Sequence, residues 1–322
     1  MTEVRSRGVG LGLALLSAAC FSTSGSLARS LIVAGWSPAA AVTVRIGVAA
    51  LLLAVPAIVS LRGRWHLLRR DPLALVAYGV VSVAGAQLCF FYAVRYISVG
   101  VALLLEYMGV VLVVGWMWAR HGQRPSRLTG VGSVVAALGL VFVLDLLGDL
   151  RLHPVGVLWG LAASVGLASY FVLSARAGAG LPPLVVASAG MTTGAITLIA
   201  LGLAGALPMH ATFGTVQVAG RQVSWLLPVV GLSLVAAAVA YVAGIAAARM
   251  LGPRLASFVA LMEVVFAVLA AWLLLGELPT IVQLAGGALI IAGVVLVQLD
   301  ETGVETPGER VRLEPSAEHP VA

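Results

Sequence analysis

The chain contains no lysine; all 19 of its basic residues are arginine. Charge of either sign is scarce, at 10% of 322 residues against about 25% in soluble domains. Hydrophobic residues make up 61% and the mean hydropathy is +1.08. That balance excludes a soluble globular domain and leaves a polytopic membrane protein. The two cysteines, Cys20 and Cys89, both fall in apolar runs, which excludes a disulfide framework or a cysteine metal site and marks them as small buried hydrophobes. His66, His121, His153, His210 and His319 fall in loops or in the tail, so no Ser/His pair lies within an apolar run. There is no Asp-rich motif to hold Mg²⁺ against a diphosphate. No G-x-x-x-x-G-K-[ST] motif occurs, so ATP does not drive the protein directly. No cofactor or metal is implied. The net charge of +6 sits mostly in short loops, where it sets topology and does not bind nucleic acid.

What the chain does have is long apolar runs, each near the 20 residues a spanning helix needs. Ten are expected, at approximately 9–28, 38–60, 72–93, 97–119, 127–145, 154–175, 182–204, 225–247, 253–275 and 280–299. Breaks fall at Trp36-Ser37-Pro38, the basic 62–71 loop, Arg124-Pro125-Ser126, His153-Pro154 and Pro182-Pro183. The 205–224 segment is the longest internal loop and is expected at the interface. Arg5 and Arg7 precede the first run as in a signal sequence, but no A-x-A-like site follows, so that run is read as a retained helix. From Asp300 the composition turns polar and acidic, predicting a disordered tail over 300–322. With a cytoplasmic N-terminus, the inner side collects most of the arginines and the outer side only Arg29, Arg95, Arg151 and Arg221. The expected location is therefore the plasma membrane, multi-pass, with both termini cytoplasmic.

A repeat organises these runs. A shift of 154 lays Asp71–Leu146 over Trp225–Asp300 without a gap, placing Arg95 on Arg249, Trp118 on Trp272, Gly132 on Gly286 and Gly139 on Gly293. The first two helices of each half correspond more weakly. Each half then has five helices, and because five is odd the second half enters the membrane upside down. The predicted fold is an all-α membrane protein of ten transmembrane helices in two inverted-topology five-helix repeats, a plan typical of secondary transporters.

The fourth-to-fifth helix segment of each half, above all Ala271-Trp-Leu-Leu-Leu-Gly-Glu277 in the second copy, resembles the EamA domain, the repeat of the drug/metabolite transporter superfamily. The resemblance covers two tandem domains, about 9–145 and 154–299. The first copy departs from it with Ala119-Arg-His-Gly-Gln123. The family commonly has proline directly after the glutamate at position 263, where this chain has Val264, so no proline breaks the ninth helix. The resemblance implies a ten-helix carrier of small metabolites, often an exporter of amino acids or related compounds.

Arg45, Glu106 and Glu263 lie well inside predicted helices. At 1.5 Å per residue each is roughly 11–15 Å from a helix end, near the middle of an apolar layer ~30 Å thick. Under the repeat, Glu263 falls on Gly109 and Glu106 on Ala260, so the two carboxylates sit one helical turn out of register. The functional reading is that one or both bind a cationic substrate or a coupling proton, since a carboxylate shielded from water exchanges a proton near neutral pH. The competing reading is a structural ion pair of Arg45 with Glu106. Arg45 itself reads as a structural or counter-ion residue. Gln87 and Tyr241 fall on each other under the repeat and are candidates to face a cavity. Helix 1 carries Ser22-Thr-Ser-Gly-Ser26, helix 3 Tyr92, and helix 6 Ser164, Ser169 and Tyr170. Each single residue of these reads first as an ordinary interhelical hydrogen bond, worth about 0.6 kcal/mol. Gly8/Gly12, Gly156/Gly160 and Gly190/Gly194 are spaced for close helix approach.

The function expected is secondary transport of a small molecule across the inner membrane by alternating access, with export and proton coupling as its finer form. Its partners are the substrate, the lipid bilayer and protons; the sequence leaves the oligomeric state open. An intramembrane enzyme and a channel or sensor are the alternatives. The first lacks a catalytic histidine in the membrane, and the second lacks a filter-like loop or a signalling domain.

Overall fold

The computed structural model describes residues 2–69, 71–97, 99–122, 125–143, 153–176, 180–275 and 280–303. The chain is mostly helical. The first apolar run forms α1 (Thr2–Phe21) and α2 (Ser24–Val33), separated by a break at Ser22-Thr23. There the Ser22 and Thr23 hydroxyls donate to the Ala19 and Cys20 carbonyls at 2.7 and 2.9 Å, which pairs both hydroxyls at the break. Helix α3 (Pro38–Leu61) starts at Ser37, whose Oγ accepts from the Ala40 N–H, with Pro38 in the first turn. The short α4 (Trp65–Leu68) and α5 (Pro72–Ala77) follow, the latter capped by Asp71. The chain then passes through a π-helical segment, Tyr78–Gly85, into α6 (Ala86–Tyr96), α7 (Val99–His121) and α8 (Arg127–Val143).

Next come α9 (Pro154–Arg176), α10 (Pro183–Leu203), a hairpin of β1 (Thr215–Val218) and β2 (Arg221–Ser224), and α11 (Leu226–Val230). A second π-helical segment, Gly231–Val239, leads into α12 (Ala240–Ala260), α13 (Met262–Leu275) and α14 (Ile281–Gly303). Moved by 154 residues, the first π-helical segment would cover 232–239, almost the second one. Helix α12 holds two helices across a kink at Gly252, whose φ of +81° and ψ of 162° suit glycine and almost nothing else. That kink falls where the sequence separates its eighth and ninth runs. Helix α14 continues through Gly303, so it includes the first four residues assigned above to the tail, 300–303. The rest of that tail, 304–322, and the Gly276–Pro279 break lie outside the described residues.

Among the described residues seven helices are long and apolar enough to cross a membrane: 7–33, 38–61, 72–96, 99–120, 154–175, 183–203 and the kinked 226–260. Helices over 127–142 and 284–297 are apolar but shorter. The protein is thus a multi-pass helical membrane protein; the count of ten is a finer reading taken up below.

Small residues set the packing. Helices α8 and α14 cross antiparallel with Gly132 against Gly293 and Gly139 against Gly286; a Cβ at Gly139 would lie 2.6 Å from the Gly286 carbonyl oxygen. Helix α9 seats against α7, where a Cβ at Gly109 would lie 2.6 Å from the Ser164 oxygen. Of the spaced glycine pairs, Gly156/Gly160 and Gly190/Gly194 do mediate close contacts, but Gly8 and Gly12 face open space. Helix α1 packs along α12, and Ser17 Oγ donates to the Ala240 carbonyl at 2.8 Å.

The 205–224 segment is not a plain loop. Its hairpin turns at Ala219-Gly220, both at positive φ (51° and 74°), the twist that suits a two-residue connection. It is tied to the start of α3. Ser37 N–H donates to the His210 carbonyl at 2.9 Å, His210 N–H to Ser37 Oγ at 3.0 Å, and Trp36 Nε1 to the Thr212 carbonyl at 2.7 Å. Trp36, Phe213 and Trp225 form an aromatic cluster with centroids 5.1–6.1 Å apart.

Candidate functional site

The cavity at the centre of the bundle is lined from both parts of the chain. Helices α1 and α2, the first π-helical segment, α6 and α7 contribute from before residue 145; α9, α12 and α13 contribute from after residue 154. It encloses about 710 Å³ of empty space, counting the part that opens out of the protein. Glu106, Gln87, Tyr241 and Glu263, four residues far apart in sequence, all line it. The remaining wall is mostly alanine and aromatic, including Phe21, Phe90 and Phe171.

Arg45 stands behind this wall, 1% exposed. Its Nη1 donates to Ser24 Oγ at 2.9 Å and to Gln87 Oε1, and its Nη2 donates to the Ala236 carbonyl at 2.5 Å. Ala236 lies in the second π-helical segment, where the widened turn leaves carbonyls outside the ordinary helical ladder. The guanidinium also lies 5.6 Å from the centroid of Phe91. Ion pairing with Glu106, the competing reading of that carboxylate, is therefore not what holds Arg45; the hydrogen bonds of its two Nη atoms go to neutral oxygens on three elements. Its charge still lies near enough to interact with Glu263 and Glu106.

Gln87 relays this order into the cavity. With its oxygen held by Arg45, its amide is oriented, and Nε2 donates to Tyr241 Oη at 3.1 Å. The two residues that coincide under the 154-residue shift are thus bonded to each other. Tyr241 sits edge-on to Phe21 at 5.2 Å and to Tyr170 at 5.3 Å.

The two carboxylates are near enough for their charges to interact, but they are held differently. Glu263 Oε2 accepts from Tyr107 Oη at 2.8 Å. Glu106 lines the cavity half-buried with no hydrogen bond among the described residues. Two further polar groups on the wall lack a partner among the described residues: the Tyr170 hydroxyl, on a side chain 5% exposed, and the Ser82 hydroxyl, on one fully buried. A buried polar group without a partner costs about 1–3 kcal/mol, which a bound solute recovers by supplying one. Tyr170 is seated by Gly244, where a Cβ would come within 2.0 Å of its hydroxyl.

Sequence reasoning missed Tyr107. A tyrosine inside an apolar helix is unremarkable alone; the available signal was its place next to Glu106, under Leu261 in the repeat. It also missed the break at Leu261. The Val264 N–H donates to the Leu261 carbonyl at 3.1 Å, so the helical run is interrupted between α12 and α13, just ahead of Glu263, although no proline is present.

Comparison with known proteins adds the family. The profile of the EamA-like transporter family matches residues 8–145 and again 154–299. The chain is similar to the threonine/homoserine exporter RhtA of Escherichia coli K12, 28% identical over 300 residues, 90% of this chain and 92% of that one. It is also similar to an uncharacterized inner membrane transporter, YicL, of Salmonella typhimurium, 27% identical over 72% of this chain and 75% of that one. An uncharacterized transporter of Archaeoglobus fulgidus is 30% identical over 70% and 76%. A known crystal structure superposes with a TM-score of 0.72 over 94% of this chain and 99% of that one, at 19% identity, a shared fold.

Proposed function

The chain belongs to the EamA-like transporter family, and from that premise we propose that it is a secondary carrier exporting a small metabolite, an amino acid or a close relative, by alternating access. The observation that carries the reading is the central cavity. It is lined from both family-matched stretches and holds two carboxylates, and among the described residues two of its hydroxyls, those of Tyr170 and Ser82, lack partners. A site of that kind near the midplane between two repeats is what rocking of one half against the other exposes to each side in turn. Similarity to a threonine/homoserine exporter supports the cargo class and the outward direction. Glu106 and Glu263 supply negative charge for an ammonium group or a coupling proton, Gln87 and Tyr241 a fixed polar edge, and Arg45 the counter-charge. Catalysis forms no part of this reading.

The architecture proposed is ten helices in two inverted repeats, 9–145 and 154–299, with both termini cytoplasmic. The helix crossings support it. If residue i of one half meets residue j of the other across a two-fold, then j must meet i in return. Under the 154-residue shift Gly132 meets the counterpart of Gly139, and Gly139 meets the counterpart of Gly132. The helices are antiparallel there, so a two-fold relating them runs perpendicular to them, along the membrane plane. The Gln87–Tyr241 hydrogen bond, between counterparts, is what residues close to that axis would make.

The test is flux from proteoliposomes loaded with a panel of labelled neutral amino acids, with and without an imposed pH gradient. Saturable flux sped by the gradient is expected. Saturable flux indifferent to the gradient removes the proton coupling, and no saturable flux for any cargo removes the carrier reading.

A further inference from the structure

The two cavity carboxylates differ in one respect: a neighbouring side chain ties Glu263 to the backbone at the end of α12, and among the described residues nothing does so for Glu106. The tie is at the break. In an unbroken helix the Ala260 carbonyl would accept from the Val264 N–H, four residues on. Here that N–H donates to the Leu261 carbonyl, and the Ala260 carbonyl is left without its helical donor. Tyr107, reaching across from α7, takes the vacant place, its Oη 2.9 Å from the Ala260 oxygen and 2.8 Å from Glu263 Oε2.

A phenol has one hydrogen to donate. Both contacts are therefore full hydrogen bonds only if one of them runs the other way, and only Glu263 can reverse, by carrying a proton. A protonated Glu263 donates to Tyr107 Oη, and Tyr107 donates to the Ala260 carbonyl. An ionised Glu263 accepts only, so it takes the Tyr107 hydrogen, and the Ala260 carbonyl loses its donor. In an apolar surrounding that carbonyl cannot stay bare, and the partner within reach is the Val264 N–H, whose return would anneal the break.

We propose that Tyr107 is a proton-gated latch on the break at Leu261: with Glu263 protonated it holds the helix broken, and with Glu263 ionised it releases the helix to straighten. This rests on the carrier reading above and assigns the two acids separate duties. Glu263 senses the proton and changes the helix; Glu106 stays free for the cationic group of a cargo. Among the described residues, the charged and titratable groups facing Glu263 are Glu106 and Tyr107 on α7, Arg45 on α3 and Tyr241 on α12. Helix α1, also packed on α13, presents only alanine, serine and phenylalanine to the cavity, and α8 and α14, packed on α13 as well, contribute no described residue to its lining. The latch has two discrete arrangements of the same groups, which is what a switch needs to bias a larger movement.

Infrared difference spectroscopy across a pH titration of the protein reconstituted in lipid, with no cargo present, tests the latch. Wild type should show a carboxyl band that titrates together with a change in the amide I region. Glu263→Gln should lose both. Tyr107→Phe should keep the carboxyl band and lose the coupled amide change. Glu106→Gln should keep both, with the pH of the transition displaced by the missing neighbouring charge. An amide change that persists in Tyr107→Phe, or that follows Glu106 instead of Glu263, overturns the proposal. If Tyr107→Phe does not fold, Glu263→Gln decides alone, because its amide donates to Tyr107 as a protonated acid does. It should hold labelling of a cysteine placed at Leu261 constant across pH, and a labelling rate that still follows pH as in wild type overturns the latch. These readings need no transport, so a negative result leaves the carrier standing, and a failure of transport leaves the latch measurable.

Discussion

The α8–α14 crossing gives a quantitative test of how the two parts of the chain are held together. An alanine at Gly139 would place its Cβ 2.6 Å from the Gly286 oxygen and 2.7 Å from the Ile290 nitrogen. An alanine at Gly293 would place its Cβ 2.7 Å from the Gly132 oxygen and 2.8 Å from the Ala136 nitrogen. These are backbone atoms and cannot swing aside as a side chain would. Ordinary contact begins near 3.4 Å, so the helices must part by about 0.7 Å, and a gap of 0.5–1 Å forfeits about a quarter to a half of each contact's attraction. Overpacking of this kind costs about 1–3 kcal/mol. The control is Gly130→Ala on the same helix, where a Cβ meets no atom within 4 Å and alanine gains helix propensity of up to about 1 kcal/mol. The assay is reversible unfolding of purified protein in mixed micelles of increasing SDS fraction, followed by tryptophan fluorescence. Gly139→Ala and Gly293→Ala should each unfold at lower SDS fraction than wild type, by similar amounts because they are counterparts. Their combination should cost less than the sum by about 0.5 kcal/mol or more, since one separation serves both. If both behave like Gly130→Ala, the close crossing and the two-fold argument built on it are wrong.

Three further outcomes are expected. Gly244→Ala should drive the Tyr170 hydroxyl from its seat and raise the half-saturating cargo concentration about tenfold, about 1.4 kcal/mol, with SDS resistance little changed; unaltered saturation would mean Tyr170 does not touch cargo. Gln87→Leu takes an acceptor from Arg45 and a donor from Tyr241, and should destabilise by about 1–3 kcal/mol in the same unfolding assay, against about 0.5–1.5 kcal/mol for Tyr241→Phe; the reverse order would break the proposed relay. Trp36→Ala should free the hairpin and raise hydrogen exchange over 210–225, leaving exchange near Gln87 unchanged; equal protection would show that the hairpin is held by other contacts.

What could be read from the sequence follows from how sharply each residue departs from its surroundings. Ionisable groups in apolar runs stand out, so Glu106 and Glu263 are candidates from the sequence alone, and the 154-residue repeat adds Gln87 and Tyr241, which fall on each other; all four line the cavity. The partner of Arg45 was not readable. Charge suggested Glu106, whereas a serine, an amide and a π-helical carbonyl accept from its two Nη atoms, and π-helical turns carry no side-chain signature. The break at Leu261 has no proline or glycine to announce it, being held by Tyr107 from another helix. The hairpin was hidden for a related reason: its turn uses Ala219 at positive φ, where the usual signal is asparagine, aspartate or glycine. The Gly252 kink lies between the apolar runs 225–247 and 253–275, within a helix that continues to Ala260.

The central claim is that a solute crosses the membrane through the cavity bearing Glu106 and Glu263. Counterflow measures this most directly: proteoliposomes preloaded with unlabelled homoserine or threonine are diluted into a trace of the labelled compound. Wild type should accumulate label transiently above its equilibrium level, and Glu106→Gln should abolish that overshoot while remaining folded by SDS resistance. An overshoot of unchanged size in both Glu106→Gln and Glu263→Gln would contradict the account, because neither of the carboxylates that define the site would then be needed for cargo to cross.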